Sequence, residues 1–322
     1  MNLKYDPFPF IFAQGDEATQ LACLEFFGLK DSPLAKDCLL KLNQQQRADG
    51  AFPSHLDPEQ WGTRETVRNA LLLLKVGLVT DGVNVASAVE FILHHQNPDG
   101  GWSENRALTI PPEVMALSTE HSVTWITADV VELLRMVRME ARAEYRAALQ
   151  WLRGMQNRHG GWASYSRATG DRPDHPGDPD ASAQITFLMG DIFGEQDPVY
   201  VKGWALFERN LDECAQDVAR GYRIRSRDGQ REAPEVYHLT HLLLSWVLDP
   251  PRRFQSGYDA SDPRVRRMME ALVDVQSEDG GWRPFWAEES SAVYTALAIK
   301  VLILSGMLAR EDLQADVEAY AA

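Results

Sequence analysis

The sequence has few cysteines, a deficit of basic residues and no long apolar run. Its 322 residues include only three cysteines, and their wide spacing argues against a disulfide framework or a cysteine-rich zinc site. Lysine and arginine number 32 against 47 acidic residues, which gives a formal net charge of −15. We therefore expect no general nucleic-acid binding, because phosphate recognition needs a positive surface.

No segment predicts a membrane span. The most apolar stretch, residues 293–304, is interrupted by Lys300 and is shorter than the roughly 20 residues that a bilayer requires. Residues 7–13 lack the basic n-region of a signal peptide. The sequence thus predicts a cytoplasmic protein with reduced thiols, and it leaves peripheral membrane contact and the oligomeric state open.

A repeated segment organises the chain. Each copy has a Gln, a Gly four residues later and an aromatic residue six residues later, and most copies contain Asp-Gly-Gly-Trp or a close variant. The copies are residues 46–52, 96–102, 156–162 and 276–282, with a worn copy at 216–222. Regular spacing of this kind predicts that one structural unit recurs along the whole chain.

The segments around the repeats predict two kinds of helix. Helices with one apolar stripe are predicted near 32–46, 84–96, 143–156, 197–215, 262–276 and 310–321. Helices apolar nearly all round are predicted near 14–28, 62–77, 123–138, 179–193, 234–248 and 291–305. Six outer and six inner helices in alternation predict an all-α (α/α)6 barrel, with residues 1–322 as a single domain.

The first turns of the inner helices are expected to gather at one mouth of the barrel. The sequence Asp178-Pro-Asp-Ala-Ser182 opens the fourth inner helix, with Asp178 at the N-cap and Asp180 at the second helical position. A purely structural interpretation is that Asp178 caps the helix and Asp180 complements its dipole.

The Gln-x-x-Asp-Gly-Gly-Trp pattern resembles the repeats of the superfamily of squalene cyclases, class II terpene cyclases and protein prenyltransferase β-subunits. The resemblance covers residues 46–282 and is closest to the class II cyclases. It implies that Asp178, Asp180 and Ser182 match an Asp-x-Asp-Asp-Thr motif whose middle Asp protonates an alkene or epoxide. Ala181 replaces the third Asp of that motif.

The same resemblance implies a role for the fifth inner helix. In squalene-hopene cyclases a His on this helix is hydrogen-bonded to the acid, and His238 is the residue that matches it. A neighbouring imidazolium stabilises the carboxylate that remains after proton donation. The structural alternative is a histidine satisfied within the core.

A metal-dependent prenyltransferase is the main rival interpretation. Asp178, Asp180 and the pair Tyr237-His238 also fit the Asp-x-Cys and Tyr-His pattern of prenyltransferase β-subunits, whose Asp, Cys and His bind zinc. Asp180 would stand where that family has Cys, and a soft zinc site needs the thiolate. A third interpretation is a non-catalytic prenyl-binding protein.

Two further residue sets suggest contacts to an isoprenoid substrate. Basic residues that suit a diphosphate, or alternatively a solvated loop, are Arg172, His175, Arg223 and Arg225. Aromatic residues on or beside inner helices that suit a carbocation, or alternatively the core, are Trp125, Tyr237, Tyr294, Phe187 and Trp286.

The sequence therefore predicts a compact terpene cyclase, an enzyme of the isomerase or lyase type, with Asp180, Asp178 and His238 as its catalytic residues. Protonation requires no metal ion, so no metal site is predicted, and Mg²⁺ enters only if the substrate carries a diphosphate.

Overall fold

The computed structural model describes residues 2–77, 83–111, 116–164, 176–219, 224–225, 232–233, 258–284 and 287–321. For Val83, 224–225 and 232–233 only the backbone is described. The predicted inner helix at 234–248 lies outside the described residues.

Within these residues the chain forms twelve helices and four two-residue strands. The helices are α1 Phe8–Gln14, α2 Glu17–Phe26, α3 Pro33–Gln45, α4 Thr63–Lys75, α5 Val83–His94, α6 Thr124–Met136, α7 Ala143–Gly154, α8 Pro179–Phe193, α9 Pro198–Ala219, α10 Pro263–Asp274, α11 Ala292–Leu304 and α12 Arg310–Ala321. Antiparallel pairs join β1 Phe52–Pro53 to β2 Trp61–Gly62 and β3 Ile224–Arg225 to β4 Glu232–Ala233. Eleven of the twelve predicted helices are confirmed, and α1 is an additional one.

Local sequence explains where the helices begin and which faces they bury. The Asp262 side chain accepts a hydrogen bond from the Arg264 N–H at 2.8 Å, with a proline at the first helical position of α10. This helix buries one apolar stripe, whereas α6 and α8 are buried nearly all round. The predicted difference between outer and inner helices is thus confirmed for these three.

The chain divides into two compact units, Leu40–Leu206 and the combination of Met1–Leu39 with Phe207–Ala322. In the first unit α4 packs against α5 and α6, and α6 packs against α7 and α8. Helices α4, α6 and α8 are therefore consecutive inner helices, and α5 and α7 lie outside them. The prediction of a single domain stays a prediction.

The repeats join successive outer helices. The side-chain amide of Gln46 donates to its own Gly50 carbonyl and to the Asn84 carbonyl in the first turn of α5, at 2.8 and 2.7 Å. Gln96 and Gln156 make the same two contacts, reaching Glu144 and Val199 at the starts of α7 and α9. The repeat glutamine therefore links the end of one outer helix to the start of the next.

The last repeat uses the N-terminal segment in the same way. The Gln276 amide donates to the Gly280 and Tyr5 carbonyls, both at 2.9 Å, and its oxygen accepts from the backbone N–H groups of Lys4 and Tyr5. Residues 4–5, just before α1, thus take the place that the first turn of the following outer helix takes in the other three repeats. The predicted outer helix at 310–321 forms α12 and packs against α1.

The worn copy at 216–222 begins differently from the others. Gln216 lies within α9, which continues to Ala219, whereas the other four glutamines follow the ends of their helices. The prediction that α9 ends near residue 215 is therefore wrong by about one turn, because the residues that would form the turn in a full copy continue the helix.

Candidate active site

The third repeat fixes the start of α8. The Asp178 N–H donates to the Trp162 carbonyl at 2.7 Å. Gly177 has a positive φ of 104°, and a Cβ at Gly161 would lie 2.0 Å from the Pro176 carbonyl oxygen. These two glycines let the chain at 176–178 lie directly against the repeat, so the acidic first turn of α8 has a defined position.

On four of the described inner helices, a hydroxyl group four residues after the N-cap is hydrogen-bonded to the repeat that precedes the helix. The Ser182 Oγ accepts the Trp162 N–H at 2.9 Å. Equivalent hydroxyls on α4, α6 and α11 accept the backbone N–H of the repeat aromatic at 3.0 Å in each case; they belong to Thr66, Thr127 and Thr295. Ser182, which the resemblance matched to the motif Thr, therefore has a structural role shared with the three other inner helices that follow a described copy of the full repeat.

Asp178 is held by the repeat rather than by its own helix. Its Oδ2 accepts hydrogen bonds from the backbone N–H and the hydroxyl of Ser164, at 2.5 and 2.6 Å, and its side chain makes no capping hydrogen bond to α8. The predicted capping interaction is therefore wrong for the side chain. Ser164 was not predicted, because its role depends on the loop bringing it beside residue 178.

Asp180 lies in the first turn of α8 and is partly exposed. The residues just after it, Ala181 to Gly190, are all buried, so Asp180 is an acidic group at the accessible start of a buried helical segment. The positive end of the helix dipole favours a carboxylate here. This is a suitable place for an acid that must stabilise its own conjugate base.

The start of α6 lies beside the start of α8. The Thr124 N–H donates to the Ser164 carbonyl at 2.7 Å, and Ser164 also binds Asp178. Trp125, the equivalent of Asp180 on α6, is partly exposed, and its indole N–H donates to the Ala116 carbonyl at 2.9 Å. The predicted gathering of inner-helix starts is therefore observed for this pair.

The other predicted substrate contacts are placed differently. Phe187 is 1% exposed, and its ring meets that of Trp204 on α9 edge-on at 5.7 Å, so it packs between an inner and an outer helix. Tyr294 is partly exposed in the first turn of α11. The predicted residues His238, Tyr237, Trp286, Arg172, His175 and Arg223, and the side chain of Arg225, lie outside the described residues.

A polar cluster one helical turn deeper than Asp180 and Trp125 was not predicted. The Gln184 amide donates to Asp129 Oδ1 at 2.6 Å, and Arg68 Nε lies 3.8 Å from Asp129 Oδ2. These residues belong to α8, α6 and α4, and each lies six residues after its N-cap. We call this set the polar tier.

The polar tier could have been found by aligning the inner helices. In each of these three helices, the residue of the polar tier comes two positions after the residue whose hydroxyl binds the repeat, as Arg68 follows Thr66. In a single helix Asp129 stands out only as one acid in an apolar run, and nothing there indicates its partners. The contact becomes predictable once equivalent positions on adjacent inner helices are assumed to meet.

A second cluster of charged groups surrounds the start of α4. Glu104 is 2% exposed, and its oxygens accept the backbone N–H groups of Thr63 and Arg64 at 2.9 and 3.2 Å. Burial and the nearby charge of Glu65 raise the pKa of Glu104. Glu104 therefore caps α4 in place of Gly62, which has no side chain to do so.

Nothing among the described residues forms a set of three or more His, Cys, Asp or Glu side chains placed to hold a metal ion. Across the same part of the chain, every helix falls short of the length and apolarity needed to cross a bilayer.

Comparisons with known proteins support the fold. No family model matches the chain. A probable squalene–hopene cyclase from Sinorhizobium fredii is 26% identical over 169 residues, which is 48% of this chain. The matched region is 24% of that cyclase, so the match spans about a quarter of the length of the curated relative.

The solved structures that match include type II terpene cyclases. Apo MstE from Scytonema and a variant of it in complex with geranylgeranyl dihydroxybenzoate, its substrate, each match with a TM-score of 0.57 and 15% identity, over 91% of this chain and 89% of theirs. An ent-copalyl diphosphate synthase from Streptomyces platensis matches with a TM-score of 0.53 and 16% identity, over 90% of this chain and 50% of that one.

At these identities the structural matches establish the fold. They confirm the predicted all-α class with an (α/α) barrel, and together with the curated relative they confirm the resemblance to class II terpene cyclases that the repeats indicated.

Proposed function

We propose that the chain is a class II-like terpene cyclase that protonates a linear isoprenoid substrate, with Asp180 as the general acid. The observation that carries the proposal is the position of Asp180, a partly exposed carboxyl in the first turn of α8, just before ten consecutive buried residues. The fold shared with type II terpene cyclases, one of them solved with its prenylated substrate, supports the same conclusion.

The proposed reaction begins with proton transfer. The Asp180 carboxyl proton adds to the terminal alkene of the substrate, or to an epoxide oxygen, and leaves a tertiary carbocation. Internal alkenes attack this cation in turn, so that carbon–carbon bonds close the rings. A base removes a proton from the final cation, or water adds to it, and solvent returns a proton to Asp180.

Neighbouring groups serve the acid in this proposal. Asp178 and Ser164 hold the chain at the start of α8, and the helix dipole stabilises the Asp180 carboxylate after proton donation. His238 is proposed from the resemblance to supply a positive charge beside it. Mg²⁺ enters only as the counter-ion of a diphosphate headgroup, for which Arg172, His175, Arg223 and Arg225 are proposed contacts.

The test compares Asp180→Asn with wild type on geranylgeranyl diphosphate, geranylgeraniol, terminal epoxides of both and squalene. Loss of a general acid lowers turnover by about 10²-fold or more, so we expect cyclic products from wild type and almost none from the variant. Asp191→Asn, on the last turn of α8, is the matched control because Asp191 is paired with Arg135 at 3.8 Å.

Three results would contradict the proposal in different ways. Unchanged turnover by Asp180→Asn would remove Asp180 from the mechanism. Release of diphosphate with no cyclic product, dependent on a tightly bound zinc ion, would favour prenyl transfer. Saturable binding of prenyl ligands by wild type without any turnover would favour a non-catalytic prenyl-binding protein.

A further inference from the structure

Arg68 is a cation on an inner helix whose side chain remains half exposed. Its guanidinium-bearing side chain is 53% exposed, although its neighbours Val67 and Ala70 on α4 are fully buried. The described residues offer it two contacts, the Asp129 carboxylate at 3.8 Å from Nε and the Trp125 ring, whose centroid lies 5.0 Å from Cζ. The shortest approach to Asp129 is from Nε, and at 3.8 Å it is too long for a hydrogen bond.

The polar tier orients this guanidinium. Trp125 supports its flat face through a cation–π contact, and Asp129 lies on its Nε side. Asp129 is itself 5% exposed and is fixed by the Gln184 amide at 2.6 Å. The forked end of Arg68, which carries four N–H donors, is therefore left for another acceptor.

The arrangement also changes what Trp125 can do. The sequence suggests that the indole ring stabilises a carbocation or packs in the core, but one face of that ring already contacts a permanent cation. A second positive charge on the same face would be repelled by Arg68. Trp125 is thus better suited to supporting Arg68 than to stabilising a cation on that face.

We propose that Arg68 binds an oxyanion headgroup of the prenyl ligand, either a carboxylate or a diphosphate. Both present paired oxygens that match the fork of a guanidinium. Arg68 and Asp180 stand on α4 and α8, on either side of α6, so the proposed headgroup contact is separate from the acid. This inference rests on the proposed prenyl-binding function and adds the chemistry of the headgroup to it.

Binding rather than turnover gives the sharper test. We would measure the dissociation constants of geranylgeranyl diphosphate, a geranylgeranyl-substituted benzoate and the neutral geranylgeraniol by calorimetry. Arg68→Gln should weaken the acidic ligands about 10- to 100-fold, the effect of losing hydrogen bonds to a charged group. The dissociation constant of geranylgeraniol should stay unchanged. Arg68→Lys should restore part of the lost affinity for the acidic ligands, because lysine keeps the positive charge but lacks the forked guanidinium.

Two further variants separate the subsite from the stability of the helices. Arg135→Gln is the matched control, because Arg135 lies in the last turn of α6 and its carboxylate partner Asp191 is also 3.8 Å away. Arg68→Gln with Asp129→Asn removes both charges of the pair, so no buried carboxylate is left uncompensated. The control variant and the double variant should both fold. Only the double variant should lose the preference for acidic ligands over geranylgeraniol.

The outcomes identify which inference fails. If wild type binds all three ligands equally, or if Arg68→Gln weakens geranylgeraniol as much as the acids, the oxyanion subsite is wrong while prenyl binding stands. If wild type binds none of them, both the subsite and the proposed function are wrong. A loss confined to the diphosphate or to the benzoate identifies which oxyanion Arg68 recognises.

Discussion

Glu65, in the first turn of α4, has a carboxylate that the folded protein keeps ionised. Its Oε1 accepts from His55 Nδ1 at 2.7 Å and from Arg64 Nη2 at 2.5 Å. Burial by itself raises the pKa of Glu65, but the hydrogen bond from His55 and the charge of Arg64 outweigh it and lower the pKa to about 2. Because the folded pKa is below the ordinary value of 4.5, ionised Glu65 stabilises the fold above about pH 5, and this stabilisation is lost as the pH falls toward 2.

We therefore expect the Glu65→Gln variant to lose less unfolding free energy than wild type as the pH falls. From pH 6 to pH 2 wild type should lose up to about 3 kcal/mol more unfolding free energy than the variant, the equivalent of the shift in pKa. Urea unfolding at several pH values measures this difference. The pKa of Glu104 is raised partly by the charge of Glu65, so Glu104 acts in the opposite direction more strongly in wild type than in the variant and reduces the difference.

The control for this prediction is Glu144→Gln. Glu144 pairs with Arg142 at 3.1 Å on the surface, where such pairs contribute little. The unfolding free energy of this variant should change with pH as that of wild type does. A Glu65→Gln curve that also follows wild type would show that Glu65 titrates normally in the folded protein.

At the scale of elements, we expect the Ser182 hydroxyl to contribute more to folding stability than to turnover. Ser182 is 3% exposed and accepts the Trp162 N–H, so Ser182→Ala leaves a buried donor without its partner. We expect a loss of about 1–3 kcal/mol in unfolding free energy. Ser182→Thr introduces the residue type found at the equivalent position of the other three helices and should retain both stability and turnover.

Chemical denaturation and product assays on the two variants measure this. If Ser182→Thr abolished turnover while remaining as stable as wild type, Ser182 would have a chemical role beyond this hydrogen bond. If Ser182→Ala were as stable as wild type, the hydrogen bond between Ser182 and Trp162 would not stabilise the start of α8.

The elements were largely predictable because their signals are local. The Asp-Pro pairs at 178–179 and 262–263 place two helix starts to the residue, and the apolar stripes place the outer helices within a few residues. Helix α1 was missed because its seven residues are almost all apolar, with Pro7 at the N-cap and Pro9 inside the first turn, and show no helical period to detect.

The site was predictable only where the signal stayed within one segment. Asp178 and Asp180 were found because they share a helix start. Ser164, Glu104 and the polar tier were not, because each acts through a residue at least 14 positions away in sequence. Their partners are set by the packing of one repeat on the next, which local patterns do not encode.

At the scale of the molecule, the first residues of the chain complete the contacts of its last repeat. Gln276 reaches Tyr5 across 271 positions in sequence, and just after it Phe8 and Ile11 of α1 are fully buried. The ring of Phe8 meets that of Phe27, just after α2, edge-on at 5.5 Å, and α1 packs against α11. The N-terminal segment is therefore part of the folded unit that contains the C-terminal helices.

We expect Phe8→Ala to destabilise the protein by about 3–5 kcal/mol, the usual cost of truncating a buried phenylalanine. Tyr5→Ala is the matched control, because its side chain is exposed and its contacts to Gln276 are made by the backbone. That variant should stay within about 0.5 kcal/mol of wild type. Urea unfolding followed by circular dichroism measures both.

If Phe8→Ala were as stable as Tyr5→Ala, α1 would not contribute to the stability of the fold, and the last repeat would be held by other contacts. A large loss in Phe8→Ala alone, within one cooperative transition, would establish that the chain's two ends fold together.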